Sequence, residues 1–266
     1  MTMRMPRGAM PTPRSQLAAS EPYRPDAGSG IFIPSGAFPT PNQDLAAAQP
    51  YRPAGATPES YLAWPVQFDS WSNEQSIDSI WAEEAFAKAC VEPRKKIPAA
   101  IVVSAAQKCG TSNFSEFMQT HGFEINARAY LDGPFLAVDW TNTAVLNNAI
   151  AQVGPVKIGI ASTSLAGRPH GQVTPGKSGW TLHELPPAQP GETCASLCGF
   201  GSLPTLFDLF KSRGVDIVLP PGMPAGLCYA MFLSNSIGII DMQSLLNITG
   251  EAWVRNPTTI VRNLHH

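Results

Sequence analysis

The sequence is short of charge, of cysteine and of long apolar runs. Only 14% of its 266 residues are charged, and 18 Lys and Arg against 20 Asp and Glu leave a formal net charge of -2. That balance excludes nucleic acid as the main partner, because neutralising phosphates requires a basic excess. No uninterrupted apolar run approaches the roughly 18 residues of a helical membrane span, so none is expected. The opening MTMRMPRGAM lacks the apolar stretch of a secretion signal. The expected location is therefore the cytoplasm, or a large assembly formed there. Cys90, Cys109, Cys194, Cys198 and Cys228 are sparse and odd in number, which suits a reducing compartment better than a disulfide scaffold. Zinc-protease, phosphate-loop and dinucleotide fingerprints are all missing, and no metal or cofactor is expected. Cys194 and Cys198 read as small buried residues behind a sheet rather than as metal ligands.

Proline is plentiful but uneven. Residues 1–60 hold 11 of the 26 prolines and only six Leu, Ile, Val or Phe, whereas all six tryptophans lie from Trp64 onward. Such a segment cannot bury enough apolar surface to offset its ordering entropy. The sequence therefore divides into an extended Pro/Ala-rich tail, 1–60, and a globular domain, 61–266. Within the tail, residues 6–25 (PRGAMPTPRSQLAASEPYRP) and 34–53 (PSGAFPTPNQDLAAAQPYRP) share 13 of 20 positions at an offset of 28. The shared residues are those a docking peptide uses. Prolines stiffen the chain, Met10/Phe38 and Leu17/Leu45 fill pockets, and Tyr23/Tyr51 with Arg24/Arg52 are typical anchors. Two copies imply two receptor sites, and 28 extended residues span at most roughly 90 Å. The expected partner is a symmetric protein assembly bound bivalently; the oligomeric state of the chain itself stays open.

In the domain, helices are expected over 76–90, 111–121, 143–153, 203–213 and 242–248, from apolar spacing and capping residues. Strands are expected over 156–162, 194–200 and 227–233, with short closing strands at 252–255 and 258–262; IPAAIVV (97–103) reads as β-like or as a buried approach segment. Helices come first and a mostly antiparallel sheet follows, an α+β order.

Five strings in this order resemble the papain-like cysteine peptidase superfamily over about residues 62–262. Cys109 to Phe114 (CGTSNF) resembles the nucleophile motif at the head of a helix. LNNAIAQVGPVKIGIA (146–161) resembles the helix, Gly-Pro-Val turn and first strand of the β-rich half. TCASLCGFG (193–201) is similar to the strand that opens with the catalytic His. YAMFLSNSIG (229–238) is similar to the strand ending in the Asn that orients it, and EAWVR (251–255) to the closing strand. The resemblance implies a helical half packed on an antiparallel β half. It puts Ser112 at the nucleophile position, Gln107 near the oxyanion position, Thr193 (or Cys194) at the His position and Asn235 at the orienting position.

A thiol peptidase needs an activated Cys and an imidazole to share its proton. Neither Ser112 nor Thr193 supplies these, which implies a degenerate enzyme. The preferred expectation is a non-catalytic papain-like domain, a structural or binding module moored by its tail to a virion, shell or ring. Enlarged connections at 202–225 and 239–249 suggest, by analogy, a bacterial or bacteriophage origin. The alternative is an active hydrolase or transpeptidase that uses Cys109 with an unconventional His, foremost His183, then His170 or His121, the tail being a propeptide or targeting segment.

Overall fold

The structure is a computed structural model that describes residues 48–64, 79–91, 97–110, 114–160, 178–187, 193–233, 236–255 and 260–264. The whole first repeat, the linker after it and residues 34–47 of the second repeat therefore fall outside the described residues, and with them Met10, Leu17, Tyr23, Arg24, Phe38 and Leu45.

The architecture is α+β: among the described residues, six helices lie around one large mixed sheet and a small second one. The large sheet is built from β1 (Gln49–Pro50), β2 (Tyr61–Leu62), β5 (Phe135–Ala137), β6 (Val156–Ile160), β7 (Ser178–Leu182), β8 (Thr193–Ser202), β9 (Asp216–Ile217), β10 (Leu227–Leu233), β11 (Ser236–Asp241) and β12 (Thr249–Arg255). Its order is β1-β5-β12-β6-β8-β10-β11-β7-β9, and β2 pairs with β8 off that path. The central pairs from β5 to β11 are antiparallel, while β1 on β5, β7 on β11 and β9 on β7 are parallel. β3 (Phe123–Ile125), β4 (Arg128–Leu131) and β13 (Ile260–Asn263) form the small sheet.

Both faces of the large sheet are covered, which explains why its central strands are continuous apolar runs rather than alternating ones. In β10, Cys228, Ala230 and Phe232 enter one core and Tyr229 and Met231 the other. Face one, the side of Cys228, is covered by α1 (Ser79–Val91), α2 (Ala99–Cys109), α3 (Phe114–Thr120) and α5 (Leu203–Ser212). Face two is covered by α4 (Thr143–Gln152) and α6 (Met242–Ile248).

The caps are local and legible. Asn142 accepts from the amides of Ala144 and Val145 at the head of α4, Ser202 caps α5 and Asp241 caps α6, each satisfying otherwise orphaned donors. Of the segment read as β-like or as a buried approach at 97–103, residues 99–103 are instead the first half of α2, and Ile97-Pro98 lead into it. Pro98 at its entrance, with Ala99, Ala100, Ala105 and Ala106, outweighs the short β-branched run Ile101-Val102-Val103. The connection read as enlarged at 239–249 divides: 239–241 is the end of β11, and 242–248 is helical as expected.

The compositional boundary at residue 60 differs from the boundary of packing. Tyr51 and Ala63 are core residues; β1 adds to the sheet edge and β2 lies across Phe200 and Gly199 of β8. The end of the second repeat is part of the domain.

Candidate functional site: a sealed ionic centre and a seat for the second repeat

The residues expected to carry catalysis are dispersed. Cys109 is the last residue of α2 rather than the first of a helix, and Gly110, at φ +53°, ends that helix. A helix C-terminus carries partial negative charge, which opposes a thiolate. The Cys109 side chain is 3% exposed in the face-one core, and burial pushes its thiol pKa up. Gln107 lies exposed on the same helix. His183 follows β7, between Leu182 and Leu185 of the face-two core, and Leu185 is held to α6 by bonds to Ser244 and Asn247. Cys109 and the neighbours of His183 thus belong to cores on opposite sides of the sheet. His121 stacks on Phe117 and bonds Thr120 at the small-sheet end. Thr193 opens β8 opposite Ile160. Ser112, His170 and Asn235 lie outside the described residues.

Under α1 the structure places what the sequence did not announce. Glu84 receives Arg255 from β12 through Nη2 onto Oε2 and through Nε onto Oε1 at 2.9 Å. Lys157 of β6 reaches the same Glu84 at 2.6 Å and also lies 5.2 Å above the ring of Phe114. Asp132, just after β4, accepts from Arg255 Nε at 3.0 Å and from Lys88 Nζ at 2.5 Å, and Lys88 also donates to the Leu131 carbonyl. All five groups are essentially inaccessible. Burial alone would raise the Glu84 pKa, but Arg255, Lys157 and Lys88 outweigh it and hold the carboxyl well below the usual range. Burial and the nearby Glu84 charge raise Asp132 against the pull of Lys88 and Arg255.

Two more buried acids border this centre. Glu83 faces Ser196, whose hydroxyl approaches without completing a regular hydrogen bond. Burial raises its pKa well above the ordinary value, although Ser196, Lys157 and Arg255 pull the other way. A β-bulge at Gly250, where Thr249 opposes Ile160 and Glu251 opposes Gly159, aims the Glu251 side chain over the Gly159 backbone. Burial alone raises Glu251 well above the carboxylate range. Glu251, Gly159 and Cys194 therefore form one cross-strand row, and Trp253, Lys157 and Ser196 the next. A second bulge, at Cys198, turns that thiol to face one as well. Burial, reinforced by Glu83, Glu251 and Glu84 against Lys157, keeps Cys194 protonated. This row is where the resemblance puts a catalytic imidazole, and it holds the buried Cys194 thiol and the buried Glu251 carboxyl, the pKa of each raised by burial.

The second arrangement is at the other edge. Asn148, 1% exposed on α4, has its amide filled by the chain that follows β1. Its Oδ1 accepts from Tyr51 OH at 2.7 Å and from the Ala54 amide at 3.0 Å; its Nδ2 donates to Thr57 Oγ1 at 2.8 Å and to the Ala54 carbonyl at 3.3 Å. Gln152, one turn on, donates to the Ala56 carbonyl at 2.7 Å, and the Tyr51 amide donates to the Ala137 carbonyl at 2.7 Å. Tyr51, expected to anchor the tail to a partner, thus anchors it to its own domain, while Arg52 remains exposed.

No known protein-family profile matches the chain, and no curated protein does. Among the described residues no group of His, Cys, Asp or Glu is arranged to hold a metal ion, and no helix there is long and apolar enough to cross a membrane.

Proposed function

We propose that this chain is a papain-like domain without catalysis, a structural or binding module whose repeated tail moors it to a symmetric protein assembly. The single observation that carries the proposal is the state of Cys109: buried, at the negative end of a helix, and held as a thiol. A nucleophilic cysteine needs the opposite of each condition. The strand that would bring its imidazole begins with Thr193, and the row beside it is sealed by α1. A sealed polar centre fixes the relative placement of α1, β4, β6 and β12, which suits a part that must hold shape while its tail is engaged.

Co-sedimentation of the full chain with megadalton particles, in extracts of the cells that encode it, tests the proposal. Met10→Ala, Leu17→Ala and Arg24→Ala together should abolish sedimentation, and Cys109→Ala should leave it intact. Sedimentation that ignores the tail substitutions, or peptide hydrolysis lost with Cys109→Ala, would overturn it in favour of the hydrolase.

A further inference from the structure

The seat on Asn148 is specific in a way that bears on the first repeat. Two side chains of the seated segment bond Asn148, those of Tyr51 and Thr57. The other bonds, from or to Ala54, Gly55 and Ala56, use backbone atoms and do not depend on residue type. At the repeat's own offset of 28, Tyr51 corresponds to Tyr23 and Thr57 to Ser29, so both side-chain groups that Asn148 reads recur, with matching hydroxyls. The flanking Pro-Tyr-Arg-Pro is identical in the two copies. The correspondence runs four residues past the 20-residue repeat and keeps there the one hydroxyl that the seat uses.

We propose that the Asn148 seat is a receptor for the repeated segment, and that residues 22–29 of the same chain are its second ligand, exchanging with 50–57. The seat is open for this. A cleft of about 830 Å³ opens along the segment, lined on one side by Pro50, Tyr51, Ala54 and Gly55 of the segment itself and on the other by Leu136, Gln152 and Val153, so the seated chain lies at the domain's edge rather than under a covering element. The tether permits it: from Ser29 to Tyr61, where β2 fixes the chain again, 31 intervening residues give slack far beyond the distance across a domain this size. Attachment in one chain also supplies a high effective concentration of the second ligand.

One position ranks the two ligands. Gly55 sits at φ +72°, with only the ordinary contact of Gln152 Oε1 at 3.4 Å where a Cβ would be. Its counterpart, Ala27, fits the space but is strained in that backbone region. The first copy is therefore the weaker ligand by several-fold, which is why the second is resident. The exchange changes how much tail is free: 28 more residues lie ahead of the seat when Pro50 is seated than when Pro22 is. It does not depend on whether the domain is catalytic.

Amide hydrogen exchange on the full-length chain tests the inference, with the amides of β8 and β10 as a control that each variant is folded. In the wild type, the amides of Tyr51 and Ala54 are protected and those of Tyr23 and Asp26 are not. With Tyr51→Ala, or the milder Tyr51→Phe, protection of Tyr23 and Asp26 should rise at least tenfold. Adding Asn148→Ala or Tyr23→Ala should abolish that rise, and Ala27→Gly should enhance it. A folded Tyr51→Ala chain with no new protection at 22–29 would overturn the inference. Protection that grows with protein concentration would overturn its assignment to the same chain and point to exchange between copies.

Discussion

The two faces of the central sheet solve burial in opposite ways. Face two is mainly apolar, with Leu146, Ile150, Ile158, Leu197, Met231 and Val254 packed under α4 and α6, and its buried polar side chains Asn148 and Ser244 are uncharged and sit on the covering helices. Face one buries Lys157, Ser196, Glu251 and Arg255 among its apolar residues, under a helix that adds Glu83, Glu84 and Lys88. Apolar packing is forgiving, since volume lost is partly recovered by relaxation. An ionic centre is not, because removing one partner strands the others without water. Face one therefore fixes geometry, while face two supplies cohesion and, at its edge, the seat for the tail.

Breaking face one should have the largest effect. Arg255→Met removes the cation that bridges Glu84 and Asp132, leaving each carboxylate with a single lysine, and is expected to cost about 3–5 kcal/mol in chemical denaturation. Leu146→Ala on face two should cost about 2–5 kcal/mol, toward the low end if α4 settles inward. A loss from Arg255→Met smaller than that from Leu146→Ala would break the comparison.

The acids sharpen it through pH. Glu251 has a folded pKa raised above its unfolded value, so its contribution is fully present below about pH 4.3 and is lost as pH rises toward the folded value. Glu84 is lowered in the fold and does the reverse, contributing above that range and losing it as pH falls. Stability should therefore peak in mild acid and decline toward alkaline pH. Glu251→Gln should make the decline between pH 5 and pH 8 shallower by up to about 1.4 kcal/mol per unit, followed by urea titrations at several pH values. A variant with the wild-type slope would show that Glu251 is ionised in the fold. Smaller still, Lys108→Ala removes only the exposed pair with Glu124 and should shift stability by less than about 0.5 kcal/mol.

The parts legible in the sequence were those set by local rules. Asn142, Ser202 and Asp241 announce their helices, and Gly154-Pro155 ends α4. The apolar runs of β6, β8 and β10 read as buried strands. What could not be read was set by tertiary context. Ile101-Val102-Val103 has strand character by composition, and only its alanine-rich neighbours and Pro98 make it helix. The ionic centre joins residues as far apart as Glu84 and Arg255, and no local pattern links them. A signal existed, however: Lys157 interrupts an otherwise apolar strand, Arg255 closes the run Ala252-Trp253-Val254, and Glu83-Glu84 sit mid-helix among alanines and aromatics. A charge in such a run needs a partner. The repeat was plain from residues 6–53, but its receptor was not, because a buried Asn148 in TAVLNNAIAQV looks like any helix residue.

The central claim is that the chemistry-bearing face is closed. Labelling of the folded protein with a cysteine-directed peptidase probe at neutral pH, read by mass spectrometry, tests it most directly. Cys109, Cys194 and Cys198 should label only at the rate of global unfolding, and His183→Ala should change nothing. Rapid, selective labelling of Cys109 that disappears with His183→Ala would contradict the account.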